Sequence, residues 1–249
     1  MSGILDQKQA IVTGGGTGIG LGITEGFIKE GASVAVVSRS ADIKNIESEE
    51  VRNNISIFNI DLSNRNSRSK LLEEMISSLG KVDILVNCHG VALPQQSIDH
   101  SQEDWDKTIE TNLSSTFYLC QKLGKHMIEN KKGKIINIAS MYAFFGGVKV
   151  AAYTASKGGV AQLTKALSNE WSQLGINVNA IAPGYIRTDL NRHVWKDDLK
   201  RSQEIIDRTP AGRWGDPEDM SGPAIFLASK YSDFVNGVIL PVDGGFSVR

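Results

Sequence analysis

A tyrosine and a lysine stand four residues apart at Tyr153 and Lys157, within "YTASKGG", and small residues lie between and after them. If the segment is helical, the two side chains share a face. A free phenol, with a pKa of ~10, is a poor acid or base near neutrality, and a neighbouring ammonium favours the phenolate and lowers that value. The pair is therefore either an acid–base unit working on a substrate oxygen or one aromatic and one solvated charge on a surface helix. Ser140, at the end of the run "KIINIA", offers a hydroxyl that could hold the same oxygen. Asn112, in "TNLSSTF", sits mid-helix, where asparagine is a modest liability.

Bringing these side chains together requires a particular scaffold. β-Branched runs occur at 9–13, 33–38, 55–60, 82–87, 134–139, 176–182 and 237–242. Several lack in/out alternation, as strands buried on both faces do. Segments with helical spacing lie between them, such as Ile19, Ile23, Phe27 and Ile28, or Trp105, Ile109, Leu113, Phe117, Leu123 and Met127. Glycines that stop helices follow in "KEGAS" and "SLGKVD". This alternation predicts an α/β fold: a Rossmann-type, doubly wound, mostly parallel seven-stranded sheet with helices on both faces. No linker, repeat or low-complexity tract divides residues 1–249, so one domain is expected. Residues 187–216 break the rhythm, being too polar for a core crossover. They are expected to form a lid over the site; a solvated excursion or a subunit contact is the alternative.

In such a sheet, ligands bind outside the carboxyl ends of the strands. Ser140, Asn87 and Gly90 all follow strands there. So does the cluster "TGGGTGIG" between the first strand and first helix, holding Gly14, Thr17, Gly18, Ile19 and Gly20. Its glycines permit positive φ and close backbone approach, and the following helix N-terminus suits an anion, here a dinucleotide pyrophosphate. The spacing Gly14-x-x-x-Gly18-x-Gly20 departs from G-x-G-x-x-G. The second strand ends in Ser38 and Arg39 with no acid to bind a ribose 2′-OH. A guanidinium suits a 2′-phosphate, which favours NADP(H) over NAD(H); Arg39 could instead be solvated or stack on adenine. Asp61 and Leu62 suit the adenine edge, although Asp61 could also cap the next helix.

Taken in order and spacing, TGGGTGIG, Asn87-x-x-Gly90, Asn112, Ser140, Tyr153-x-x-x-Lys157, "NAIAPGYIRT" and "VNGVILPVDGG" resemble the short-chain dehydrogenase/reductase family over essentially the whole chain. The resemblance implies that Tyr153 exchanges a proton with the substrate oxygen and that Ser140 holds it. Lys157 would tune the phenol and bind the nicotinamide ribose, and Asn112 would hold a proton-relaying water. Pro183, Gly184, Ile186 and Thr188 would meet the nicotinamide. Later segments, including "RS-EI-DR-PAGRWG", look like the sugar-acid branch of 2-dehydro-3-deoxy-D-gluconate 5-dehydrogenases (2-deoxy-D-gluconate 3-dehydrogenases) and gluconate 5-dehydrogenases.

For such a substrate, Arg187, Arg192, His193, Trp195 and His89 are candidate contacts. The family segment Asn-Asn-Ala-Gly is here "NCHG", and "VALPQQS" carries no basic residue, which keeps a neutral polyol or ketose open as substrate. A 3-oxoacyl carrier-protein reductase is a rival reading, but no concentrated basic patch suits an acidic carrier. A dinucleotide-sensing or scaffold protein is the reading without catalysis. By resemblance Trp171 and the last strand look like subunit contacts, implying a homotetramer.

The net charge of −1 gives no reason to expect nucleic acid or an anionic membrane as partner. Cys88 and Cys120 follow neither disulfide nor metal-ligand spacing. With no long apolar run, a cytoplasmic protein without bound metal is expected.

Overall fold

Each β-branched run becomes a strand. The computed structural model describes residues 3–41 and 49–249. Its strands are β1 (Gln9–Thr13), β2 (Ser33–Ser38), β3 (Ile55–Asn59), β4 (Ile84–Asn87), β5 (Gly133–Ile138), β6 (Ile176–Pro183) and β7 (Ile239–Val242). They form one parallel sheet in the order β3-β2-β1-β4-β5-β6-β7. The order reverses between β1 and β4, and this switch point opens a crevice at the carboxyl edge.

The missing alternation has a simple cause. Adjacent residues of each central strand enter different cores: Val12, Val86 and Ile136 on one face, Ile11, Leu85 and Ile135 on the other. The first core is closed by Ile23 and Phe27 of α1 (Gly18–Lys29) and Leu227 of α8 (Ser221–Ala228). The second is closed by Leu72 and Met75 of α3 (Arg65–Leu79), Leu119, Leu123 and Met127 of α5 (Ser115–Glu129), and Leu167 of α6 (Ala151–Trp171). A short α2 (Glu49–Asn53) precedes β3, and α7 (Leu199–Arg208) lies in the excursion before α8.

Along the helically spaced series Trp105, Ile109, Leu113, Phe117, Leu123 and Met127, Leu123 and Met127 are buried while Trp105 and Phe117 are 38% and 43% exposed. Between α4 (Gln102–Ile109) and α5, residues Glu110–Ser114 form a π-turn, and the buried side chains there are Thr108, Asn112, Ser115 and Thr116. A π-turn rotates the helix face, so a 3.6-residue period cannot be carried through it. Trp171 is partly buried. A Cβ at Gly124 would come within 2.7 Å of its ring, so it packs against α5 of its own chain.

Candidate active site

The carboxyl ends of β1, β4 and β5 carry a row of polar residues in register, Thr13, Asn87 and Asn137. Asn87 donates to Asn137 Oδ1 at 2.8 Å, and Asn137 donates to Thr164 Oγ1 of α6 at 2.9 Å. This buried relay fixes α6 against the sheet. Within it the Asn87 side chain is 2% exposed and braces the floor behind the cleft.

Beyond that row the chain opens around a cleft of about 320 Å³. Its walls bring together Gly14, Thr17, Gly18, Ile19, Gly20, Ser38, Arg39, Asp61, Leu62 and Gly90 with Ser140, Tyr153, Lys157, Pro183, Gly184, Ile186 and Thr188. Segments from across the chain thus converge on one crevice. Gly14 and Gly18 adopt φ of 68° and 50°, conformations that side chains disfavour, and α1 begins at Gly18 with its first N–H groups available to an anion. A Cβ on Gly20 would strike the Gly14 carbonyl, so only glycine lets the loop fold over the helix start. Asp61 lines the cleft and accepts from the Ser63 N–H and hydroxyl at 2.9 and 2.7 Å, while the cap of the next helix is Asn64, which accepts from the Asn66 and Ser67 N–H groups.

At the opposite end, Ser140, Tyr153 and Lys157 line the same part of the cleft, and Lys157 Nζ lies 5.7 Å from the centre of the tyrosine ring. Lys157 is 5% exposed and donates to the Ile138 carbonyl at 2.7 Å, which fixes its ammonium beneath the cleft. The small residues of α6 have definite uses. A side chain at Gly159 would collide with Leu113. Ser156 accepts from Asn112 at 3.0 Å and donates to the Tyr153 carbonyl at 2.7 Å.

The electrostatics run opposite to the simplest reading of the pair. Burial pushes the Tyr153 phenol up to about 12, against the lowering effect of Ser140, and burial pushes Lys157 down to about 8. Loss of hydration disfavours the charged form of each group, the phenolate and the ammonium. The phenol therefore holds its proton at neutral pH.

Asn112 does not face the cleft. Its amide accepts from Val91 N–H and donates to Val91 C=O, both at 2.9 Å, clamping the strand-like segment after Gly90. The π-turn explains how asparagine is accommodated there: it breaks the helix period at the point where this side chain must turn inward. His89 lines the cleft, but both ring nitrogens are occupied, by Thr13 Oγ1 at 2.6 Å and Ser115 Oγ at 2.5 Å. Because Ser115 gives its own proton to the Thr111 carbonyl, His89 Nε2 is the donor in that pair. Burial pushes its pKa down to about 3, so it is a neutral strut between β1 and α5. The replacement of a small residue by histidine is thus absorbed by packing.

The remaining substrate candidates are scattered. Arg187 closes both arms on Asp216 at 2.7 and 2.6 Å, Arg192 lies 3.8 Å from Asp189, and Trp195 donates to the Thr188 carbonyl at 2.9 Å. Neither Arg192, His193 nor Trp195 lines the cleft; Asp189, Leu190 and Asn191 of the same excursion do. Also missed were Lys107 and Thr111, which line the cleft from the α4 side. Their only sequence signal is a position just before Asn112, and that gains meaning once the fold is known.

Comparison with known proteins agrees with this geometry. Residues 14–247 match the family profile described as enoyl-(acyl carrier protein) reductase. The chain is 45% identical to a 2-dehydro-3-deoxy-D-gluconate 5-dehydrogenase of Pseudoalteromonas atlantica, covering 98% of both chains. It is 44% identical to the Bacillus subtilis protein of the same name, covering 98% of this chain and 96% of that one. A gluconate 5-dehydrogenase of Burkholderia cenocepacia, solved with NADP and tartrate, superposes with a TM-score of 0.92 at 36% identity, covering 98% of this chain and 97% of that one. The parallel sheet, the glycine turn at its switch point and the matches over nearly the full length lead to one assignment: the chain belongs to the short-chain dehydrogenase/reductase family.

Proposed function

We propose that the protein is an NADP(H)-dependent oxidoreductase that interconverts a secondary alcohol and a ketone on a sugar acid such as 2-dehydro-3-deoxy-D-gluconate or gluconate. The observation that carries this reading is the convergence of Ser140, Tyr153 and Lys157 at one end of a cleft whose other end is a glycine turn, Arg39 and Asp61. The cleft fits a dinucleotide: the positive-φ glycines and the start of α1 suit a pyrophosphate, and Arg39 beside Ser38 suits a 2′-phosphate. Gly90, Pro183, Gly184, Ile186 and Thr188 would hold the nicotinamide end, and Asp61 and Leu62 the adenine end. When bound, the nicotinamide supplies or accepts the hydride.

The rest is work for side chains. Ser140 and Tyr153 both line the end of the cleft where the substrate oxygen would lie, and the Tyr142 N–H holds the Ser140 hydroxyl oxygen at 3.2 Å. In reduction Tyr153 gives that oxygen its proton; in oxidation it takes one. A phenol pushed up to about 12 is fully protonated at neutral pH, which is the form that reduction consumes. Lys157, held by the Ile138 carbonyl, stabilises the phenolate left behind and can hydrogen-bond the nicotinamide ribose. Asn112 acts at one remove by fixing Val91, and so the loop carrying Gly90.

Residues 187–216 act as the substrate lid of a single domain in this reading. Their roots are tied at Ile186–Gly215 and by the Arg187–Asp216 pair, and Asp189 to Asn191 already border the cleft. The half-exposed Trp105 and Phe117, with Phe234 and Val248 at the other end, are apolar surfaces suited to self-association, and a homotetramer is the assembly we propose. No helix among the described residues is long and apolar enough to cross a membrane.

The test is reduced-nicotinamide formation with NADP or NAD and a panel of sugar acids and neutral polyols. Turnover on sugar acids with NADP preferred is expected. Turnover confined to polyols would overturn the substrate assignment, and preference for NAD would overturn the role of Arg39.

A further inference from the structure

Thr188 and Asn191 both line the cleft at the root of the excursion, and the polar groups of Thr188 can be followed one by one. Its backbone N–H donates to Asn191 Oδ1 at 3.2 Å, and its carbonyl accepts from Trp195 Nε1 at 2.9 Å. Its hydroxyl lies 3.1 Å from the same Asn191 Oδ1. Its methyl packs against the glycine turn, 3.1 Å from where a Cβ on Gly18 would stand. Both branches of the side chain are therefore placed, and a β-branched residue has few rotamers by which to leave them.

The direction of the hydroxyl bond follows from Asn191. An asparagine amide has a donor end and an acceptor end. Here Nδ2 donates to the Ile186 carbonyl at 2.9 Å, a group that can only accept, while the Thr188 N–H, which can only donate, faces the other end. A reversed amide would set N–H against N–H and carbonyl against carbonyl. The amide oxygen therefore faces Thr188, and an amide oxygen only accepts. The hydroxyl proton must go to it. Thr188 thus has both of its polar hydrogens committed to Asn191 and can meet a ligand only as an acceptor.

We infer that Asn191 is a positioning residue for the cofactor: it fixes the Thr188 hydroxyl as a hydrogen-bond acceptor, and so selects the amino end of the nicotinamide carboxamide over its carbonyl end. The inference rests on the placement of the nicotinamide proposed above. It also gives Trp195 a task away from substrate, since its bond to the Thr188 carbonyl holds the same short segment from the other side.

The experiment titrates the protein, without substrate, with NADP and with 3-acetylpyridine adenine dinucleotide phosphate, in which a methyl replaces the amino group and the carbonyl is kept. Wild-type protein should bind NADP about tenfold more tightly, the worth of one neutral hydrogen bond. In Asn191→Leu the hydroxyl can donate to either carbonyl, and the ratio of affinities should fall toward one. Asn191→Asp still accepts from both Thr188 groups and should keep the ratio, even as both affinities weaken with the loss of its bond to Ile186. Thr188→Val removes the hydroxyl and should also bring the ratio toward one. An unchanged ratio in Asn191→Leu, including one reached by equal weakening of both ligands, would overturn the inference, because Asn191 would then only hold the loop. So would an unchanged ratio in Thr188→Val, which decides the matter if Asn191→Leu does not fold. Equal affinity of the wild-type protein for both dinucleotides would overturn this inference alone. Wild-type protein that binds neither would overturn it together with the reading beneath it.

Discussion

The two walls of the cleft are built on different principles. The wall formed by the sheet and α6 is dry: Ser140 and Lys157, with Asn112 and Asn137 behind them, are all under 9% exposed, and each has a partner fixed by strand register or helix packing. The wall formed by residues 187–216 is wet. Its Arg187, Arg192 and Arg201 are about half exposed and are held by surface ion pairs. The dry wall suits a reaction that needs one geometry and a strongly displaced pKa. The wet wall suits recognition, where one side chain can change without disturbing the fold. Chemistry and specificity are thus separated in the structure, and each should fail in its own way.

Several variants probe that separation. Ser140→Ala, on the dry wall, should lower kcat by about a hundredfold or more while leaving NADP affinity and Tm unchanged, since it removes a donor to the reacting oxygen. Steady-state kinetics with cofactor titration checks this. Asn112→Ala should cost stability, by about 1–3 kcal/mol for each Val91 group left unpaired, and should also weaken cofactor binding; urea unfolding reads the first effect. At the exposed adenine end, Arg39→Asp should shift the NADP-to-NAD efficiency ratio toward NAD by about tenfold without any change in Tm. An unchanged ratio would mean that the 2′-phosphate is read elsewhere.

His89 tests the electrostatics of the dry wall. Its folded pKa of about 3 lies below its ordinary 6.5, so between these values the unfolded chain binds a proton that the folded chain refuses. Stability from this group is full above pH 6.5 and is lost as pH falls toward 3. A His89→Gln variant should show a shallower loss of Tm across that window. The smallest effect belongs to the wet wall: Arg187→Ala should cost at most about 1 kcal/mol, because its pair with Asp216 is solvent-exposed.

Much of this was legible in the sequence, and the exceptions have physical causes. The strands were legible because a parallel sheet covered on both faces needs uninterrupted apolar runs, and the glycine turn because its φ values admit little else. Asn87 was legible as a residue at the carboxyl end of a strand but not as a brace to Asn137, since order along the chain does not say which way a side chain points. The change of face between Trp105 and Leu123 was not legible, because the π-turn at Glu110–Ser114 interrupts the period that sequence patterns assume. The phenol's acidity was argued from a neighbouring charge, whereas burial, which only packing reveals, set its direction.

The most direct test of the whole account compares the wild-type protein with Tyr153→Phe in NADP-linked oxidation of a sugar acid, with NADP binding measured on both. The variant should fold, bind NADP as tightly as the wild type, and lose turnover by about a hundredfold or more, since one proton-transferring hydroxyl is gone and the ring remains. Turnover in Tyr153→Phe equal to that of the wild type would contradict the assignment of Tyr153 as the group that moves the proton.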